Sequence, residues 1–181
     1  RSVGEKSIKK QLKRMLLILS IVFLFPAVAY AQVYTGDRFS IDIPKEGNVY
    51  YYIPSDTNMK DDILARAQQE EGLKVLSGVY SEDGNLSYSL KIVEKPAEGT
   101  DEVAARNANL DAVKEQLSTE YTLGENTQEQ LAMRTAAAVQ GDNTGNEAFA
   151  VKAYSVYDDG TVYGIILIYK KSDDHAAYDQ A

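Results

Sequence analysis

The run Val162-Tyr-Gly-Ile-Ile-Leu-Ile-Tyr169 constrains the fold more than any other segment. In an extended chain, successive side chains point to opposite faces. One face of this run holds Val162, Gly164, Ile166 and Ile168; the other holds Tyr163, Ile165, Leu167 and Tyr169. Both faces are apolar, so the strand needs cover on both sides and belongs in the middle of a sheet. Its partner lies just upstream. Residues 149–157 form a second strand, and Asp158-Asp-Gly-Thr161 suits a tight hairpin because Asp-Gly accepts positive φ. A second Asp-Gly turn, Glu82-Asp-Gly-Asn85, joins strands over 73–81 and 86–95. Hairpins of this kind make a largely antiparallel sheet.

The remaining segments supply the cover. Phe39-Ser-Ile-Asp-Ile43 alternates and stops at Pro44; Val49-Tyr-Tyr-Tyr-Ile53 is β-rich and stops at Pro54. Met59, Ile63 and Ala67 recur every four residues, predicting a helix over 59–71 with cap candidates in Ser55–Asn58 and Gly72 beyond its end. A longer helix opens at Thr100-Asp-Glu102, with Thr100 as cap and Val103, Leu110, Val113 and Leu117 as its apolar stripe. Residues 123–127 read as a loop, 128–140 equally as helix or strand, and 141–145 as a turn. Ser172-Asp-Asp174 starts a last helix that would be cut off at Ala181. The sum is one α+β domain: an α/β/α sandwich with a largely antiparallel sheet and helices on both faces.

The N-terminus is of another kind. Residues 1–31 hold six of the 19 basic residues and one of the 27 acidic ones. A basic stretch precedes the apolar run Met15 to Phe25, then Pro26, and then the small-x-small end Ala29-Tyr30-Ala31. This reads as a secretory signal peptide cut between Ala31 and Gln32. As a membrane anchor the run is short of the roughly 20 residues a span needs. Contact with a membrane would thus be transient, through the signal peptide alone. The chain opens on Arg1 rather than Met, which reads as a start upstream of the true one, or as a fragment. Residues 32–181 are left as a single domain, expected to be secreted or periplasmic.

Removing the leader sharpens the charge. The 150 remaining residues carry 13 basic and 26 acidic side chains, a net −13. Nucleic acid is a poor partner for such a surface, since phosphate contacts need clustered Lys and Arg. The absence of cysteine excludes disulfides, thiolate metal sites and thiol nucleophiles.

Candidate chemistry is sparse. Asp158, Asp159, Asp173, Asp174 and His175 are weak candidates for a hard cation. Turn chemistry accounts for Asp158-Asp159-Gly160, and helix-start charge for Asp173-Asp174. His175 is the single histidine, and no G-x-S-x-G elbow accompanies it. Phosphate-loop, dinucleotide and zinc-helix motifs do not occur, and no cofactor is implied. Twelve of the 13 tyrosines follow the leader. The run Tyr50, Tyr51 and Tyr52 is the candidate surface for a protein or small-molecule ligand, because tyrosine is amphipathic and favoured at interfaces. A binding module would show a shallow Tyr-lined face; a hydrolase would show two close carboxylates in a cleft.

Three stretches resemble the PsbP-like family, named after the extrinsic photosystem II subunit. They are Tyr34-Thr-Gly-Asp-Arg-Phe-Ser-Ile-Asp-Ile-Pro44, Arg134-Thr-Ala-Ala-Ala-Val-Gln140, and Tyr154-Ser-Val-Tyr-Asp-Asp-Gly160 with Tyr163-Gly-Ile-Ile-Leu-Ile-Tyr169. The chain lacks the family's P-x-G-W after the first strand. The resemblance implies an α/β/α sandwich and a non-enzymatic binding or accessory role, and brings no active-site residues. Two alternatives stand beside it: a small extracytoplasmic hydrolase using acidic residues, and a divalent-cation-binding stabiliser.

Overall fold

A computed structural model of the chain describes residues 30–36, 38–44, 48–53, 56–81 and 83–172. Two strands at the start, β1 (Tyr30–Thr35) and β2 (Ser40–Pro44), pair with each other in a separate antiparallel hairpin. Its turn is closed by Gly36 N donating to Phe39 O at 2.9 Å. The main sheet follows with β3 (Asn48–Ile53), β4 (Asp56–Thr57), helix α1 (Asp61–Gln69), β5 (Leu73–Tyr80) and β6 (Leu86–Pro96). Helix α2 (Glu102–Leu117), β7 (Tyr121–Leu123), β8 (Thr127–Leu131), β9 (Arg134–Asn143), β10 (Phe149–Asp158) and β11 (Thr161–Lys170) complete it.

The strand order is β4-β3-β5-β6-β11-β10-β9-β7, with β8 also on β9, and all neighbours are antiparallel. β11 is central, between β6 and β10, as its two apolar faces require. Asp159 and Gly160 take φ of +44° and +81° in the β10–β11 turn.

Register assigns every side chain to a face. Ile166 of β11 packs with Ala153 and Val151 of β10 and with Ala137 and Val139 of β9 under Leu110 and Leu117 of α2. Burying each of those leucines contributes roughly 1.5–3 kcal/mol. Further along the same face, α1 lays Ile63, Leu64 and Ala67 on Tyr50, Tyr52, Leu76 and Val93. Tyr163, Ile165 and Leu167 of β11 point the other way, with Leu90 and Ile92 of β6 and Val156 of β10. Tyr34, Phe39, Ile41 and Ile43 of the β1–β2 hairpin lie against this second face.

The expectation of helices on both faces is therefore not met by the helices described. Both lie on one face, and a β-hairpin partly covers the other. The last helix expected after Ser172 lies outside the described residues. Smaller corrections follow from local chemistry. α2 is capped by Asp101, whose Oδ1 accepts from Ala104 N at 2.8 Å, and not by Thr100. α1 begins after Lys60, which makes no side-chain cap bond. Val103 is 52% exposed and outside the apolar stripe. Instead α2 buries Arg106, paired with Glu102 at 3.1 Å. The ambiguous segment 128–140 is neither one helix nor one strand. It is a hairpin, β8–β9, turned at Ala132 and Met133 with φ of +50° and +62°. Residues 121–123 are a strand, and 141–143 extend β9 past the expected turn.

Candidate functional site

The tyrosine run does not form one surface. Alternation sends Tyr51 to the hairpin face, where it is 5% exposed within the core. Tyr50 and Tyr52 face the helices and pack beside α1. Tyr50 stacks on Tyr80 with centroids 5.3 Å apart, and burial followed by the Tyr80 hydrogen bond pushes its phenol well above the ordinary value.

A different set of tyrosines lines the main cavity. On the hairpin face, between the β1–β2 hairpin and the β8–β9 turn, lies a groove of about 520 Å³. This volume is within the range of small-molecule sites. Its floor is Leu90 and Ile92 of β6 and Ile165 and Leu167 of β11; Tyr88, Tyr154 and Tyr163 stand along it. Phe39 and Ile41 form one wall, and Leu131 and Ala132 contribute to another. The floor is apolar because β6 and β11 both turn a full row of large side chains to this face, and the small hairpin covers only part of it.

One end of the groove is polar. Arg134 Nη2 meets Asp158 Oδ1 at 2.8 Å. Arg38 Nη1 donates to the carbonyl oxygens of Asp158 and Asp159 at 2.9 and 3.2 Å, with the Asp158 carboxylate at 4.0 Å. Two guanidiniums thus gather at Asp158, the one carboxylate lining the groove among the described residues. Tyr163 lies at this end, edge-on to Phe39 at 5.5 Å. It is 6% exposed, and its hydroxyl has no hydrogen-bond partner among the described residues. Burial, the largest influence, pushes its phenol up, with Glu94 adding to the effect and Arg38 opposing it. Toward the open side, Lys152 lies 5.1 Å over the Tyr154 ring and pairs with Glu129 at 2.9 Å. Burial also pushes the Tyr154 phenol up.

A smaller cleft of about 230 Å³ lies on the helix face, where α2 passes over the glycine gap at Gly164. Its polar lining residues are Glu70, Glu71, Lys91, Lys95, Asn109 and Gln116. Lys91 is paired with Glu70, and Asn109 donates to Ser155 Oγ at 2.9 Å.

The acidic candidates separate. Asp158 is engaged by both arginines, and Asp159 is a 93%-exposed turn residue 3.9 Å from Arg38. A cation at Asp158 would have to displace two guanidiniums. Asp173, Asp174 and His175 lie outside the described residues, as does Ala29. Ala31 and Gln32 fall in β1, where Gln32 is opposite Ile43. Among the described residues no three His, Cys, Asp or Glu side chains gather into a metal-ligating group. No helix among them is long and apolar enough to cross a membrane. Sequence reasoning missed the groove residues. The available signal was Arg38 and Arg134 flanking apolar strands, together with the second apolar face of β11.

No family model and no curated protein matches the chain. Solved structures do. The solution structure of cyanobacterial PsbP from Synechocystis sp. PCC 6803 superposes with a TM-score of 0.50 at 9% identity, over 86% of this chain and 88% of that one. A protein of unknown function from Pseudomonas aeruginosa matches at a TM-score of 0.40 and 13% identity, over 82% of this chain and 91% of that one. The fold is PsbP-like, an α+β arrangement built on an antiparallel sheet, as the strand motifs implied.

Proposed function

We propose that the protein is a non-enzymatic binding or accessory module, exported by its N-terminal leader, and that its ligand occupies the groove on the hairpin face. The observation carrying this reading is the groove itself. It is apolar along its length, lined by three tyrosines, and polar at one end. Among the described residues the one carboxylate lining it, Asp158, is held by two arginines, and no second acid stands beside it in the lining. Export follows from the basic, apolar and small-x-small order of residues 1–31, with cleavage after Ala31 placing the domain outside the cytoplasm.

The test uses a dye with an apolar body, anilinonaphthalene sulfonate, on the folded protein. The native chain should bind it saturably, one-to-one, with enhanced fluorescence. Leu167→Gln, a change at a half-buried floor position, should abolish the enhancement while the thermal transition stays cooperative. Dye binding that is undiminished in Leu167→Gln would reject the groove.

A further inference from the structure

The polar end of the groove defines the head group of its ligand, granted that the groove is the binding site. We propose that the groove takes an amphipathic carboxylic acid, its chain on Leu90, Ile92, Ile165 and Leu167 and its carboxylate between Arg38, Arg134 and the Tyr163 hydroxyl.

Three independent observations converge on this. The first is charge. Among the described residues the lining itself holds two guanidiniums and one carboxylate, two cationic forks in a chain whose net charge is −8. Each guanidinium has five N–H donors in a fork that matches a carboxylate. The contacts to Asp158 and Asp159 use Nη1 of Arg38 and Nη2 of Arg134. The second is Tyr163. A hydroxyl this deeply buried without a protein partner is rare, because its desolvation is uncompensated. A ligand oxygen at this end supplies the missing acceptor. The third is length. Tyr163 to Leu167 is four residues of strand, roughly 13 Å at 3.3 Å each. This run of apolar floor continues directly from the polar end, which favours a chain with one charged terminus over a compact polar molecule.

Two carboxylates work against an anion. That of Asp159 lies 3.9 Å from Arg38, but it is 93% exposed and so largely screened by solvent. Glu94, opposite Tyr163 on the same face, is paired with Lys74 at 3.8 Å. Asp158 already has both arginines and keeps them aligned, so an incoming carboxylate completes an Arg–Asp–Arg cluster without having to break it.

The experiment is calorimetric titration of the full chain with decanoate, and with decanol as the uncharged isostere. Decanoate should bind saturably and at least tenfold more tightly than decanol. Tyr163→Phe should weaken decanoate by about tenfold, since it removes one donor to a charged acceptor. Arg134→Gln should weaken it by a similar factor and leave decanol unchanged. If decanol and decanoate bind alike, the head-group assignment fails while the groove stands as an apolar site. If neither binds, both readings fail. Nuclear Overhauser contacts from the Tyr178 ring to the Leu90 or Leu167 methyls in the free protein would also overturn the proposal, because the chain's own C-terminal segment would then be the occupant.

Discussion

Removing one oxygen atom from the core should make the free protein more stable. Tyr163 and Tyr121 are both almost fully buried, at 6% and 5% exposure. Burial, as the largest influence, pushes both phenols above their ordinary value. They differ in one respect. Tyr121 has a side-chain hydrogen bond with Asn143, whereas the Tyr163 hydroxyl has no partner among the described residues. An unsatisfied buried hydroxyl costs about 1–3 kcal/mol, and a satisfied one contributes about 0.5–1.5 kcal/mol. The same substitution should therefore have opposite signs. Tyr163→Phe should stabilise by about 1 kcal/mol or more, raising Tm by roughly 2–4 °C for a chain of this length. Tyr121→Phe should destabilise by about 1 kcal/mol. Neither change alters ring packing, so the pair isolates the hydroxyl. Urea unfolding at neutral pH, with the m-value held constant between variants, measures both. If Tyr163→Phe lost as much stability as Tyr121→Phe, the hydroxyl would be satisfied in solution and the ligand argument built on it would collapse.

Other expectations concern the frame around the groove. Ala132 and Met133 occupy a turn whose positive φ values suit Asn-Gly, so the double change Ala132→Asn and Met133→Gly should add about 1–2 kcal/mol in a thermal melt. Gly72 has φ +77°, and a Cβ there would lie 2.0 Å from the Glu94 carbonyl oxygen. Gly72→Ala should cost about 3 kcal/mol or more and disturb the β5–β6 bulge, visible as lost amide protection at Glu94. Tyr50, Tyr121, Tyr154 and Tyr163 all have raised phenol values. Folding thus favours the neutral form; its contribution is complete below the unfolded value near 10 and is lost as pH rises toward the folded values. Chemical-denaturation stability should hold from neutral pH to about pH 9 and fall steeply above about pH 10; a flat profile through pH 11 would contradict the burial of these rings.

Much of the frame was legible because it rests on local chemistry. The two-faced run of β11 implied a central strand, and both Asp-Gly turns are hairpins that obey a φ rule. Where the sequence misled, tertiary context overrode local signal. Residues 128–140 have helix-forming alanines and no glycine turn, yet Ala136 and Ala138 are fully buried in β9, opposite Val156 and Tyr154 of β10. Val103 fits a helical stripe but sits in the first turn of α2, away from the sheet. Alternation reports only that a face is buried, not what buries it; among the described residues the second face carries a hairpin, and the expected last helix lies outside them. The groove was illegible for a related reason. Arg38, Arg134 and Asp158 lie up to 120 residues apart and meet only through the hairpin and the β10–β11 turn. The tyrosine triplet drew attention by adjacency, but neighbours on a strand cannot share a face.

The measurement closest to the central claim is a methyl-resolved NMR titration of the full chain with decanoate. Shifts should be saturable and concentrated on Leu90, Ile92, Leu131, Ile165 and Leu167, while Leu110, Val113 and Leu117 on the helix face stay fixed. Shifts centred on the helix face, or spread evenly over the molecule, would contradict the assignment of the hairpin-face groove as the binding site.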